Sequence, residues 1–339
     1  MRALLRMRGG LLRLFFVSLG LFGLAACHAP EPPLRVATSQ WVGYQPLHLA
    51  QGHAFLPPDR FRFTDFGSNT ESLRAFRNGN VEVAALTLDE VLLLSDADHD
   101  ARVILVMDYS EGADAIVARP GIARVADLRG KRVGVESTAA TAYLLARALE
   151  IGGLTTADVT LVPLHAARQE RAFRRGEVDA LATFEPLRTR LLELGAREIF
   201  SSRQMPGEIV DVLVTRSRVI EERPEALSEL LQGWFAAIGH LRRHPRDAVA
   251  AMAPRTELST DGFLQAIAGI HFPSHAENCR LLARSGEQLS PTINRLHRIM
   301  TVQGLVFGEA PRANELFDDR PLQRLDCGPD SDVTEDSTR

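Results

Sequence analysis

The sequence predicts an α/β fold of two similar lobes, each a mostly parallel sheet flanked by helices, with two crossings between them. Three observations predict it: a phrase repeated at a constant offset, alternating strand and helix patterns, and two strand-like stretches that fit inside neither lobe. AFRNGNVEVAALT (75–87) and AFRRGEVDALATF (172–184) lie 97 positions apart. The same offset relates RVATSQW, from Arg35, to RVGVEST, from Arg132, and FRFTDF, from Phe61, to DVTLVP, from Asp158. Three anchors in one register imply a duplicated β-α-β-α-β unit.

In chain order, MRALLRMRGGLLRLFFVSLGLFGLAACHAP opens with four arginines around and before an apolar stretch that ends Leu24-Ala25-Ala26-Cys27. This reads as a signal peptide over 1–26, its apolar stretch shorter than a membrane span needs. Small residues before Cys27 resemble the bacterial lipobox, which predicts lipid on Cys27 and a membrane anchor without a spanning helix. Residues 27–33 are a Pro-rich linker. Strands are expected near 35–39, 61–66, 82–86, 103–109, 115–118, 132–136, 159–163, 179–183 and 211–215. Helices fall at 45–54, 69–78, 87–96, 139–151, 166–175 and 186–195, and after Arg218 the pattern is helical alone. VILVMDYSEGADAIVA (103–118) and EIVDVLV (208–214) are the crossings. Lobe 1 therefore comprises 34–109 and 212–318 with a C-terminal helical cap, lobe 2 comprises 110–211, and 319–339 is a disordered tail.

The formal net charge of −4, with no clustered basic patch, argues against nucleic acid. With Cys27 lipidated, Cys279 and Cys327 remain in a compartment that permits disulfides, although spacing alone leaves their pairing open.

Ligands of open parallel α/β sheets bind beyond the carboxyl ends of the strands. Four strand-to-helix turns are the candidates: 40–44, 87–90, 136–138 and 184–186. Trp41 and Tyr44 flank Gly43 and offer two aromatic faces, for stacking or for the core. Thr87 with Glu90 matches a capping box as well as a ligand contact. Ser137 and Thr138 lack box partners and leave helix N–H groups open to an acceptor. Asp108, Asp114, Glu136, Glu185, Glu208 and Asp211 all fall at strand ends or crossings, where each must find an arginine, stay wet or meet a cationic ligand. Internal pairing is the default for most and a ligand for one or two. His240 and His244 stand four apart, but Arg242 and Arg243 lie between them and Pro245 follows, so the histidines read as structural and no metal is expected.

These segments resemble the periplasmic solute-binding lipoproteins of ABC importers, in the group that binds nitrate, sulfonates, taurine and thiamine-pyrimidine precursors. The motifs that carry the resemblance are WVGYQPLHLA (41–50), ALTLDEVLLL (85–94), DYSEGADAIVA (108–118), DLRGKRVGVESTAATAYLLARALE (127–150), GEVDALATFEP (176–186) and PGEIVDVLV (206–214). It implies a type II periplasmic binding fold that closes on a small molecule and presents itself to an ABC permease, without a cofactor. By position it places Trp41, Tyr44, Thr87, Asp108, Asp114, Ser137, Thr138, Glu185 and Asp211 along the cleft or hinge. Carboxylates at Glu136 and Glu185 oppose a nitrate or sulfonate and favour a neutral or cationic nitrogen compound. The alternatives are a sensory subunit for a membrane signalling protein, and an enzyme using Glu136 and Glu185 as acid and base. The related fungal enzymes carry a Cys cluster that this sequence lacks, so no enzyme activity is expected.

Overall fold

The structure is a computed structural model that describes residues 31–97, 100–136 and 140–328. The chain divides into Met1–Pro33 and Leu34–Arg339, and the fold below is that of the second unit. Cys27 and the signal segment lie outside the described residues, as do Ser137 and Thr138.

The two repeated phrases build equivalent pieces. Each ends a helix with a glycine in the left-handed region, Gly79 at φ +73° and Gly176 at φ +72°, which only glycine adopts without strain. Each then enters a short apolar strand: β3 (Val83–Thr87) in the first sheet and β8 (Ala180–Phe184) in the second. Both lie mid-sheet with their faces covered, which is why neither shows a polar alternation. In the first sheet β1 (Leu34–Ser39) pairs in parallel with β2 (Phe61–Phe66) and β3. In the second, β6 (Arg132–Val135) pairs in parallel with β7 (Thr160–Pro163) and β8. The 97-residue register of the sequence is thus a register of sheets.

The remaining pairings are antiparallel, so each sheet is mixed, with a core of three strands paired in parallel. Their direction follows from where the chain crosses. β4 (Ala101–Ser110) leaves the first sheet at its carboxyl end, and β5 (Asp114–Ala118) enters the second sheet from the carboxyl end, with Asp114 opposite Phe184. β9 (Arg197–Ser201) pairs with β5 and leads out, and β10 (Val210–Arg216) returns to the first sheet with Asp211 opposite Thr87. A strand that enters from that end must run against its neighbours. β11 (Ile270–His271) completes the first sheet, whose order is β11-β4-β10-β3-β1-β2; the second is β7-β6-β8-β5-β9. Both crossings therefore lie at the carboxyl ends of the parallel strands, and these ends face one gap. The first sheet reaches Ser110 and resumes at Val210, one or two residues beyond the expected lobe limits.

After β10 the chain is mainly helical, with helices Pro224–Arg243, Pro245–Met252, Thr260–Ile267, His275–Gly286 and Ser290–Val302. Trp234, in the first of them, is fully buried. Residues 319–328 correct the expectation of a disordered tail, the rest of which lies outside the described residues: Arg320–Gln323 is helical, Leu322 is fully buried, and Arg324 pairs with Glu225 at 2.6 Å. A Pro/Asp-rich composition is outweighed there by one apolar anchor and by the disulfide Cys279–Cys327, with Cα atoms 5.7 Å apart. Among the described residues no helix is long and apolar enough to cross a membrane.

Candidate ligand-binding cleft

Trp41 after β1, Thr87 at the end of β3, Glu136 after β6, Phe184 at the end of β8, and Asp114 and Asp211 at the starts of β5 and β10 line one cavity with Asn69, Ala140, Thr141 and Ile209. Every one of the first six stands at a strand tip, and the two sheets contribute about equally. The cavity measures about 30 Å³, room for roughly two waters. Trp41 and Phe184 meet across it edge to face, ring centroids 6.0 Å apart.

Behind the lining, a hydrogen-bonded chain fixes the acids of the first lobe. Ser39 Oγ donates to Asn69 Oδ1 at 2.7 Å, Asn69 Nδ2 donates to Tyr44 Oη at 3.1 Å, and Tyr44 donates to Asp211 Oδ1. Trp41 Nε1 donates to Asp108 Oδ2 at 3.3 Å. Asp108 and Asp211 stand opposite each other in the β4–β10 register. Tyr44 and Asp108 are thus buried supports behind the lining. Gly43 is required by this packing, because a Cβ there would come within 2.2 Å of Trp41 Nε1 and 2.3 Å of Asp108 Oδ2. Gly43→Ala is expected to displace the indole and cost about 1–3 kcal/mol of stability; urea unfolding with tryptophan fluorescence measures both.

The carboxylates divide into two groups. Glu185 is satisfied: its oxygens accept from Arg188 Nη1 at 2.8 Å, Thr189 N at 3.1 Å and Thr189 Oγ1 at 2.9 Å. It is fully buried and not part of the cavity lining, and it fastens the helix that follows β8. Glu208 lies on the second crossing and accepts from Tyr143 Oη (2.6 Å), Arg147 Nε (2.8 Å) and Arg295 Nη1 (2.7 Å). Burial would raise its pKa, but these three donors outweigh burial and hold it below the usual value.

Asp89, Glu90, Asp108, Asp114 and Asp211 are buried with no arginine, lysine or histidine paired to them among the described residues. Glu90 Oε2 accepts from Thr87 N and Thr87 Oγ1, both at 3.1 Å, which is the glutamate's half of the expected capping box. Glu90 Oε1 and Asp108 Oδ1 have no partner at all. Burial pushes Asp108 up to about 8, against the hydrogen bond from Trp41. Burial likewise raises Asp114 to about 7, with Ser110 opposing and Asp89 and Glu185 adding, and Asp89 to about 6 against its bond to Thr87. Glu90 and Asp211 lie well above the carboxylate range, through burial first and then the charges of Asp89 and Asp108 respectively. Glu136 is raised by burial and eased by His165, whose Nε2 lies 3.9 Å away.

Polar contacts also span the cleft. His165 Nε2 lies 3.1 Å from Ser68 Oγ; these two cap equivalent helices of the two units, 97 residues apart. Arg190 Nη1 reaches Glu257 at 2.5 Å. At the crossings, Ser202 Oγ accepts from Gly112 N at 2.6 Å and meets Ser110 Oγ at 2.8 Å.

Sequence reasoning thus placed Trp41, Thr87, Asp114, Glu136 and Asp211 on the cavity, and missed Asn69, Ala140, Thr141, Phe184 and Ile209. The offset that exposed the duplication pointed to the right turn for Phe184 but to the neighbouring residue. Asp89 and Glu90 were visible only as a cap.

Similar proteins share this architecture. A protein of Escherichia coli (strain K12) named for aliphatic sulfonate binding is 26% identical over 255 residues, 71% of this chain and 76% of its own. The alkanesulfonate-binding protein SsuA from Xanthomonas axonopodis pv. citri, solved bound to MOPS, superposes with a TM-score of 0.71 at 20% identity, over 86% of this chain and 100% of that one. The desulfurization enzyme DSZB shares the fold at TM-score 0.62 and 17% identity, over 87% of this chain and 99% of its own. The fold is that of the two-lobed periplasmic binding proteins. The NMT1-like family matches residues 28–254, about two thirds of the sequence, and this chain belongs to it.

Proposed function

We propose that the protein is a lipid-anchored solute-binding subunit of an ABC importer at the periplasmic face of a bacterial membrane. It takes a small neutral or cationic nitrogen-containing molecule between its lobes. The observation that carries the ligand class is a set of five buried carboxylates without a basic partner, of which Asp114 and Asp211 line the cavity while Asp89, Glu90 and Asp108 stand behind it. Isolated buried carboxylates are costly and neutralise by keeping their protons. A ligand bearing N–H donors or positive charge replaces those protons, and Trp41 and Phe184 offer it aromatic faces.

A cavity of about 30 Å³ is too small for a heterocycle, so entry requires the lobes to part. The crossings between Ser110 and Asp114 and between Ser202 and Val210 are where such a hinge turns. Asp114 and Asp211 line the site where these crossings enter β5 and β10, which couples ligand to closure.

The names of the relatives favour a second reading, a sulfonate binder. An anion in this cleft would meet the same acids, and none of its lining residues carries a fixed positive charge. The enzyme reading loses its acid–base pair, because the oxygens of Glu185 are occupied by Arg188 and Thr189. Native mass spectrometry of protein purified without refolding tests the assignment: a retained nitrogenous molecule, neutral or cationic, is expected, and a retained sulfonate would contradict it.

A further inference from the structure

We propose a transition-metal site outside the cleft, formed by His53, His240 and Asp247. The three come from separate segments of the first lobe: His53 closes helix Gln45–Gly52, His240 lies in the last turn of helix Pro224–Arg243, and Asp247 lies in the first turn of helix Pro245–Met252. Their donor atoms all lie within 4.8 Å of one another. His240 Nε2 stands 2.9 Å from Asp247 Oδ2, and the rings of His53 and His240 lie 4.4 Å apart.

In a tetrahedral zinc site with bonds of 2.0–2.1 Å, neighbouring donors are about 3.3 Å apart, so donors within 4.8 Å of one another need approach by no more than about 1.5 Å to hold an ion. The ring of His244 lies 5.1 Å from that of His240, next to the triad but not part of it. Phe55 flanks both His53, at 5.8 Å, and His240, at 6.1 Å, and supplies an apolar wall that restricts the rings. Helix capping does not explain the cluster, because His53 caps through its backbone N–H and His244 makes no side-chain cap bond.

Two imidazoles and one carboxylate select Zn²⁺, Ni²⁺ or Cu²⁺ over Mg²⁺ or Ca²⁺. His275, Cys279 and Cys327 also cluster, but both cysteines are joined in the disulfide and only one imidazole remains. The sequence weighed His240 against His244 alone; the fold brings His53 and Asp247 to the same place.

The test is titration of the metal-free mature chain with Zn²⁺ alone, in competition with a chromogenic chelator. One equivalent is expected to bind, with His53→Ala and His240→Ala each weakening it by about 100-fold or more, beyond the roughly 10–100-fold that outer partners cost. Asp247→Asn, at an exposed position, leaves the packing intact and is expected to weaken it by at least about tenfold. Circular dichroism of each metal-free variant identifies any that fail to fold. Electron paramagnetic resonance with Cu²⁺ gives an independent reading: nitrogen coupling from two imidazoles or more in the parent, and fewer in His53→Ala. Absence of a tight equivalent, or Zn²⁺ binding unchanged in the folded variants, overturns the proposal.

Discussion

The ligand-free protein is expected to melt roughly 5–10 °C lower at pH 8 than at pH 5, and Asp108→Asn is expected to remove a large part of that difference. The folded pKa values of Asp89, Asp114 and Asp108 are raised to about 6, 7 and 8 from the ordinary aspartate value of 3.8. Between the unfolded and folded values the native state holds protons that the unfolded chain has released, so stability falls as pH rises. The loss begins near pH 4 and is complete above about pH 8. Groups shifted the other way set the acid limb. Asp65 lies near 2, where bonds from His48 and Thr38 outweigh its burial, and Glu208 is also lowered; their contributions are present above the unfolded pKa and vanish as pH falls through the folded one. Stability is therefore greatest near pH 4–5. Asparagine at position 108 cannot ionise, so at pH 8 the variant should melt above the parent while binding a cationic ligand at least about tenfold more weakly, through the loss of its charge behind Trp41 and Asp211 of the lining. Gain of stability with loss of binding marks an acid retained for its ligand. An acid retained for packing would give a variant that melts lower at every pH.

Glu208→Gln is expected to lower stability by about 3 kcal/mol, read as a lower urea midpoint with the slope unchanged. Its carboxylate is about 5% exposed and joins Arg147 of helix Ala140–Ile151 to Arg295 of helix Ser290–Val302, with Tyr143 as a third donor. Those helices belong to opposite lobes, and Glu208 lies on the crossing between them. Removing its charge leaves two guanidiniums and a phenol around a neutral amide. Arg295 is partly exposed and recovers solvation, whereas Arg147 is mostly buried and does not. A change below about 1 kcal/mol, the worth of an exposed pair, would show that the network adds nothing to the hinge.

Much of this was legible because a duplication states its geometry twice. The offset of 97 residues located β1, β2 and β3 against β6, β7 and β8, and with them the strand tips that form the cleft. The crossings were legible from strand patterns with no place in either unit. Pairing was harder to read. Glu185 and Glu208 look alike in sequence to Asp114 and Asp211, all being acids at strand ends. Arg188, three residues after Glu185, was a local signal for the first, but Arg147 and Arg295 are 61 and 87 residues from Glu208 and no spacing rule joins them. β9 and β11 were missed because REIFS and IH are too short, and too polar at one end, to show a period. Phe184 was passed over for its charged neighbour, although the last residue of a strand whose tip faces a cleft is the one that reaches it.

The cleft's preference for positive charge is tested most directly by isothermal calorimetry at pH 7 against matched small ligands: an aminopyrimidine, an aliphatic amine, an alkanesulfonate and nitrate. Binding confined to the nitrogen bases, with protons released into the buffer as the buried acids ionise, is the expected result. Tight binding of the sulfonate or nitrate alone would contradict it.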